Sequence, residues 1–380
     1  MLRYIRSLLS GNIVNPFPGI VALERLLGKS IVHRMGSNEA LPMVQAELAA
    51  RFGTVFGELA RLYPDPSALV LRELVAEQLQ ISPNELLFDA GADSLILLSL
   101  RTVCEAGDVV VTSAGTYPTF KYFAEGLGTQ IVEVPYRDGI VHGEPALLQP
   151  DLMALAESAR QHQAKLVYLA NPDNPTGHGF AQSELQQLRA ALPEDCLLLL
   201  DEAYIDFSPV STSEPTSTTS PSQWPNTVRM RTLSKAYAAA GLRLGYAVAE
   251  QQWITRANQL RIHYAVSNVA HAAGAMLLRD PAFKQKLVQQ TLTLRHQLAH
   301  AITAANAGSG DVVVLPSCTN FLALRYRDPA TAASRQQRLW TMQVAVHRPP
   351  HPALQHLLRV TACPAALAPD IVAALAKTLE

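Results

Sequence analysis

From about Leu86 to Val248, short apolar runs alternate with helical patterns, and this alternation narrows the possible folds more than any other feature of the chain. Leu87-Phe88, Val109 to Thr112, Ile131 to Val134, Leu166 to Ala170, Cys196 to Leu200, Val228 to Thr232 and Leu244 to Ala249 each read as a buried strand. These runs are apolar throughout instead of alternating with polar residues, so both faces of their sheet must be covered. The helical stretches between them, such as Ser94 to Cys104, supply the cover. The expected fold class is therefore α/β, with a mostly parallel central sheet between helices. Polar residues stand just past the strand ends, where open α/β sheets bind ligands.

A second pattern begins after Arg256. Helical periodicity runs through Asn268 to Leu278 and Phe283 to Ala305. New strands follow at Val312 to Leu315, Phe321 to Tyr326, Val344 to Val346 and Leu358 to Thr361, with a closing helix over about Pro369 to Leu379. This predicts a smaller α+β domain over 261–380 and a large domain over 46–260. An N-terminal segment, 1–45, is expected to pack with the small domain. Residues 208–226 are rich in Ser, Thr and Pro and read as a surface loop.

Composition excludes some function classes. A net charge of −1 offers nothing for nucleic acid or an anionic membrane surface. No stretch approaches the roughly 20 apolar residues of a membrane-crossing helix. Met1 to Gly11 lacks the apolar run of a secretory signal. Cys104, Cys196, Cys318 and Cys363 show no CxxC spacing, which argues for reduced thiols in a cytoplasmic protein and against a metal site.

The chemistry concentrates in Thr232-Leu-Ser-Lys235-Ala-Tyr-Ala-Ala-Ala-Gly-Leu-Arg243. Thr232, Ser234 and Arg243 can hold a phosphate, and Lys235 can form a Schiff base with a carbonyl. Pyridoxal 5′-phosphate carries both groups on one ring. Upstream lie Asn171-Pro-Asp-Asn174-Pro-Thr-Gly177 and Asp201-Glu-Ala-Tyr204. Asp201 ends an apolar run, where a carboxylate is costly unless paired. Gly91-Ala92-Asp93-Ser94 joins a strand to a helix, and free amides at such a helix start can bind an anion.

These segments, in this order, resemble the pyridoxal-phosphate enzymes of aminotransferase class I/II, and among them histidinol-phosphate aminotransferases most. The resemblance covers roughly residues 30 to 378. It implies that Lys235 binds the cofactor aldehyde and that its freed amine then moves a proton. Asp201 would pair with the ring nitrogen. Asn174 and Tyr204 would bond the ring oxygen, and Tyr117 would stack on the ring. Gly91, Ala92, Asp93, Thr232, Ser234 and Arg243 would hold the phosphate. Tyr63 would reach the partner's phosphate across a homodimer interface, although Leu-Tyr63-Pro-Asp65 alone also reads as a turn with a packed tyrosine.

For substrate, Arg359 in Leu-Leu-Arg359-Val-Thr361 matches the arginine that takes an anionic end. Arg348, in Val344-Ala-Val-His347-Arg348-Pro349, matches a second one, or is a solvent-exposed strand end. Asn38 lies in Ser37-Asn38-Glu39-Ala40-Leu41-Pro42, a shortened form of the family's Asn-Glu-Asn-Pro-like segment. The expected reaction moves an amino group from an amino donor, histidinol phosphate or an aromatic or other amino acid, to a keto acid such as 2-oxoglutarate. The same scaffold could instead decarboxylate an amino-acid phosphate, as threonine-phosphate decarboxylases do, or bind cofactor without turnover.

Overall fold

The structure is a computed structural model that describes residues 19–36, 38, 53, 55, 59, 62–141, 144–209, 220–307 and 310–377. Ser37, Glu39 to Pro42, most of the expected N-terminal segment and 210–219 of the Ser/Thr/Pro-rich loop lie outside the described residues. The chain runs through α1 (Gly19–Leu27), β1 (His33–Arg34), α2 (Leu69–Leu79), β2 (Leu86–Asp89), α3 (Ala92–Val103), β3 (Val109–Ser113), α4 (Pro118–Leu127) and β4 (Gln130–Val134). A hairpin of β5 (Arg137–Val141) and β6 (Glu144–Gln149) precedes α5 (Leu152–Gln161), β7 (Leu166–Ala170), α6 (Gln182–Ala191) and β8 (Leu197–Asp201). Then come β9 (Thr227–Thr232), β10 (Gly245–Val248), α7 (Gln251–Leu260), α8 (Asn268–Leu278) and α9 (Pro281–Asn306). The last elements are β11 (Val312–Val314), β12 (Phe321–Tyr326), α10 (Pro329–Thr341), β13 (Val344–Ala345), β14 (Leu357–Thr361) and α11 (Pro369–Ala376).

The α/β expectation holds. Seven strands form one sheet in the order β2-β10-β9-β8-β7-β3-β4. The β9-β8-β7-β3-β4 ladders are parallel, whereas β10 runs antiparallel to both β9 and β2. Alternate residues of β7 show why its run is apolar. Leu166, Tyr168 and Ala170 pack toward α3 and α4, while Val167 and Leu169 pack toward α5 and α6. A side chain on either face is therefore buried, as a covered parallel sheet requires.

A three-stranded sheet, β11-β12-β14, carries the second core with α9, α10 and α11. β1 pairs in parallel with β13. Just beyond it, Met35 N–H donates to the Ala345 carbonyl and the Met35 carbonyl accepts from Thr361 N–H. The chain near residue 35 thus wedges between β13 and β14. In the expected loop, Trp224 is buried with the α5 and α6 core, and Arg229 lies 5.3 Å over its ring. Helix α8 packs with α2 and the large-sheet core, since Ala270, Ala275, Leu277 and Leu278 join that cluster. No helix among the described residues is long and apolar enough to cross a membrane.

Candidate active site

A cavity of about 240 Å³ opens beside the C-terminal ends of β7, β8 and β9, the edge where the sheet's ligands are expected. One end is built for an anion. Gly91, at φ +86°, turns the chain from β2 into α3, and no side chain caps that helix. Its first N–H groups thus face the cavity with the positive end of the helix dipole behind them. Ala92, Asp93, Thr232, Ser234 and Arg243 line the cavity together. Thr232 Oγ1 donates to Ser234 Oγ at 2.8 Å. A Cβ on Gly91 would lie 2.8 Å from Arg243 Nη2, so the bare glycine is what lets the guanidinium lie over the helix start. The Asp93 carboxylate accepts from Arg243 Nη2 at 3.5 Å and from the Tyr117 hydroxyl at 2.9 Å. Its side chain therefore positions two other wall residues.

The middle of the cavity holds Asp201, 5 % exposed at the end of β8. It accepts from the Tyr168 hydroxyl at 2.8 Å and from Ala203 N–H at 3.0 Å. Burial pushes its carboxyl up to about 6, against those two hydrogen bonds. Among the described residues it has no ion-pair partner. A buried carboxylate with two donors and no protein cation suits a protonated ring nitrogen. Tyr117 walls the cavity too, and burial followed by the Asp93 charge raises its phenol far above the ordinary range, so it stays a neutral donor.

The third side gathers the groups that would meet a substrate. Lys235 Nζ donates to the Asn38 carbonyl at 3.2 Å and lies 5.7 Å from the Tyr204 ring centroid. Asn38 is a node here. Its Nδ2 donates to the Tyr204 hydroxyl at 2.8 Å, and its Oδ1 accepts from Thr361 Oγ1 at 2.9 Å. Arg359, 4 % exposed on β14, donates to Asn174 Oδ1 and to the Gly36 carbonyl. Its Nε and Asn320 Oδ1 are buried without a partner among the described residues, so polar capacity remains beside the cavity. Asp173 supports this wall from behind. It is fully buried and accepts from Tyr136 at 3.0 Å and Thr176 Oγ1 at 2.7 Å, which ties down the Asn171–Gly177 turn carrying Asn174.

The fold thus brings together Lys235, Asp201, Asn174, Tyr204, Tyr117, Ala92, Asp93, Thr232, Ser234 and Arg243 in one lining, with Gly91, Asn38 and Arg359 touching it. Two expected residues stand apart. Tyr63 is 84 % exposed, its ring 5.0 Å from that of Tyr264, away from the cavity. Arg348 lies past the end of β13 and does not line the cavity; the neighbouring His347 is the residue bridged to Arg359. Sequence reasoning missed Tyr168. Ala170 pairs with Asp201, and Tyr168 lies two residues earlier on the same face of β7, in reach of that carboxylate.

A covered seven-stranded sheet whose strand ends present a buried carboxylate, a lysine and an anion cradle to one cavity marks an α/β enzyme with a site for an anionic ligand. The profile of the aminotransferase class I and II family matches residues 34–379, and the chain belongs to that family. It is 37% identical over 309 residues to a histidinol-phosphate aminotransferase of Anaeromyxobacter sp. (strain Fw109-5), covering 81% of this chain and 80% of the relative. It is 30% identical over 303 residues to an aromatic amino acid aminotransferase of Corynebacterium efficiens, covering 80% of this chain and 82% of that one. The crystal structure of histidinol-phosphate aminotransferase from Sinorhizobium meliloti in complex with pyridoxal-5′-phosphate superposes with a TM-score of 0.85 at 31% identity, covering 99% of both chains.

Proposed function

We propose that this enzyme is a histidinol-phosphate aminotransferase that passes the amino group of a phosphorylated amine to 2-oxoglutarate. Pyridoxal 5′-phosphate is the cofactor. When bound it supplies a carbonyl for the amine and a ring that accepts the electron pair of the broken Cα–H bond. The observation that carries the reading is the convergence of Lys235, Asp201, Arg359 and the open start of α3 on one cavity.

Each wall residue then has a task. The α3 amides, Thr232, Ser234 and Arg243 would hold the cofactor phosphate. Asp201 would hold the ring nitrogen's proton, and Tyr168 and Ala203 hold Asp201 in place. Tyr117 would lie against the ring, and Asn174 and Tyr204 would donate to its oxygen. Lys235, held near by the Asn38 carbonyl, would engage the cofactor carbonyl and move the proton at substrate Cα. Arg359 takes the substrate's anionic end, with Asn38 beside it. The relative from Corynebacterium efficiens favours a second reading, in which an aromatic amino acid is the donor.

The test is a set of paired turnovers. Histidinol phosphate with 2-oxoglutarate should yield glutamate at a far higher kcat/KM than phenylalanine with 2-oxoglutarate. Preference for phenylalanine sinks the histidinol-phosphate reading, and release of CO2 from phosphothreonine without glutamate sinks transamination.

We further propose a cytoplasmic homodimer in which Tyr63 reaches the partner's cofactor phosphate. The exposure of Leu62, Tyr63, Ile262 and Tyr264, 53%, 84%, 70% and 45%, and the contact of the Tyr63 and Tyr264 rings support a second copy on this side.

A further inference from the structure

The contact between Asn174 and Arg359 joins the turn after β7 to β14, and few bonds fix its geometry. Arg359 donates from Nη1 to Asn174 Oδ1 and from Nη2 to the Gly36 carbonyl at 2.8 Å, while its Nε has no partner among the described residues. The direction of the guanidinium therefore follows the position of the Asn171–Gly177 turn. That turn is held through Asp173. Thr176, inside the turn, donates to Asp173 Oδ2 from Oγ1 at 2.7 Å and from its N–H at 3.1 Å. The Tyr136 hydroxyl comes from outside the turn and donates to Oδ1 at 3.0 Å, with Oδ2 at 3.2 Å. Asp173 is buried and has no ion-pair partner among the described residues, so its carboxylate depends on these donors.

Tyr136 also touches the core beneath Arg359. It stands between β4 and β5 and packs against the cluster of Leu148, Leu315, Ala323, Leu354 and Leu357. Ala323 of β12 is paired directly with Arg359 of β14, and Leu357 lies two residues before Arg359 on the same face. Two residues beyond Tyr136, in β5, Asp138 pairs with Arg325 of β12, which holds the β5–β6 hairpin against the same sheet. One side chain thus spans both halves of the Asn174–Arg359 contact. Its apolar part lies against the strands that carry Arg359, and its hydroxyl holds the turn that carries Asn174.

We propose that Tyr136 is a positioning residue: through Asp173 it sets Asn174, and so fixes both the direction of Arg359 toward an anion and the reach of Asn174 to the cofactor's ring oxygen. The inference rests on the roles given above to Arg359 and Asn174 and adds the residue that couples them. Asn174 Oδ1 is committed to Arg359, which leaves Nδ2 to donate to the ring. A loosened turn weakens both bonds at once. A hydroxyl that served packing alone would lower stability and leave both bonds as they are.

Tyr136→Phe keeps the ring in its cluster and removes the hydroxyl. Isothermal titration calorimetry of the cofactor-loaded variant with glutarate, a dicarboxylate with neither amine nor keto group, should show a Kd raised roughly tenfold. The kcat/KM for 2-oxoglutarate should fall by a similar factor, mostly through KM. The pH midpoint of the bound cofactor's absorbance change should rise, because a hydrogen bond to the ring oxygen favours its charged form and that bond is weakened. Tyr326→Phe is the control. The Tyr326 hydroxyl donates to the Leu375 carbonyl at 2.9 Å in the second core, so its loss should lower the melting temperature and leave all three readouts unchanged. An unchanged glutarate Kd in Tyr136→Phe, an unmoved absorbance midpoint, or an equal loss in Tyr326→Phe would each overturn the proposal. Arg359→Ala separates this failure from that of the reading beneath it. If Arg359→Ala binds glutarate like wild type, the anion role of Arg359 falls and the proposal with it. If Arg359→Ala loses glutarate and Tyr136→Phe keeps it, the proposal alone falls.

Discussion

Gly91→Ala separates backbone strain from cofactor binding at the anion cradle. Gly91 holds φ +86° and ψ 178°, a region that is nearly glycine-only and costs an L side chain about 1–3 kcal/mol. The new Cβ would also stand 2.8 Å from Arg243 Nη2. That atom is the far end of a flexible side chain, so the guanidinium gives way before the backbone of α3 does. The variant should therefore fold, with a loss close to the strain term in urea denaturation of the cofactor-free protein. Cofactor affinity should fall further, because a displaced Arg243 no longer donates to the phosphate. A hydrogen bond to a charged group contributes about 1.5–3 kcal/mol, which corresponds to a roughly 10- to 100-fold weaker Kd. Fluorescence titration of cofactor-free protein with pyridoxal phosphate measures it. Arg243→Ala should cost a similar factor, and the double variant should cost little more than either alone, since both remove one contact. Full additivity, or a Kd for Gly91→Ala within threefold of wild type, would refute this account of the cradle.

Asp201→Asn should retain cofactor and lose most turnover, roughly 100-fold or more, because the ring would lose the negative charge that keeps its nitrogen protonated; turnover near wild type would make Asp201 a structural residue. The same change should stabilise the cofactor-free protein above neutral pH. The Asp201 carboxyl, raised by burial from 3.8 to about 6, favours folding below the lower value, and that contribution is lost as pH rises through about 6. The shift corresponds to about 3 kcal/mol, so thermal melts should favour Asp201→Asn at pH 8 and converge below pH 4; a constant difference across that range counts against burial as the cause. Glu202→Gln should destabilise by about 3–5 kcal/mol in urea, because Glu202, 2% exposed, holds Arg229 at 2.6 Å and Arg231 at 2.7 Å. A loss under 1 kcal/mol would show that water replaces the pair at no cost. Mixing Tyr63→Phe with Lys235→Ala chains tests the shared site, since one site of the mixed dimer should then carry both lesions and the other neither; a fully active monomer in sedimentation would end that proposal.

Much of this was legible in the sequence because it is periodic or ordered along the chain. The run Leu166 to Ala170 is apolar at every position and is a strand buried on both faces, at those bounds. The Thr232–Arg243 stretch folds as a compact connection from β9 toward β10 that includes a 3-10 turn at Ala240–Leu242, and its hydroxyls, lysine and arginine line the same cavity. What sequence could not carry was register. An apolar run looks alike in either direction, so the antiparallel course of β10 left no mark. Tyr168 reads as one more core aromatic until the pairing of Ala170 with Asp201 puts its hydroxyl on the carboxylate. Arg348 reads as a second anion ligand by residue type, but a one-residue step in an extended chain reverses the face, and the bridge to Arg359 falls at His347. Trp224 shows the reverse case: a Ser- and Pro-rich neighbourhood read as loop still buries an indole in the core.

The measurement closest to the centre of this account is borohydride reduction of the cofactor-loaded enzyme, followed by peptide mapping. Lys235 is the lysine that lines the cavity, 3.2 Å from the Asn38 carbonyl and across from Asp201. One labelled peptide is expected, the one containing Lys235, and Lys235→Ala should yield none and turn over several orders of magnitude more slowly. A label on any other lysine, or undiminished turnover by Lys235→Ala, would contradict the assignment of this cavity as the active site.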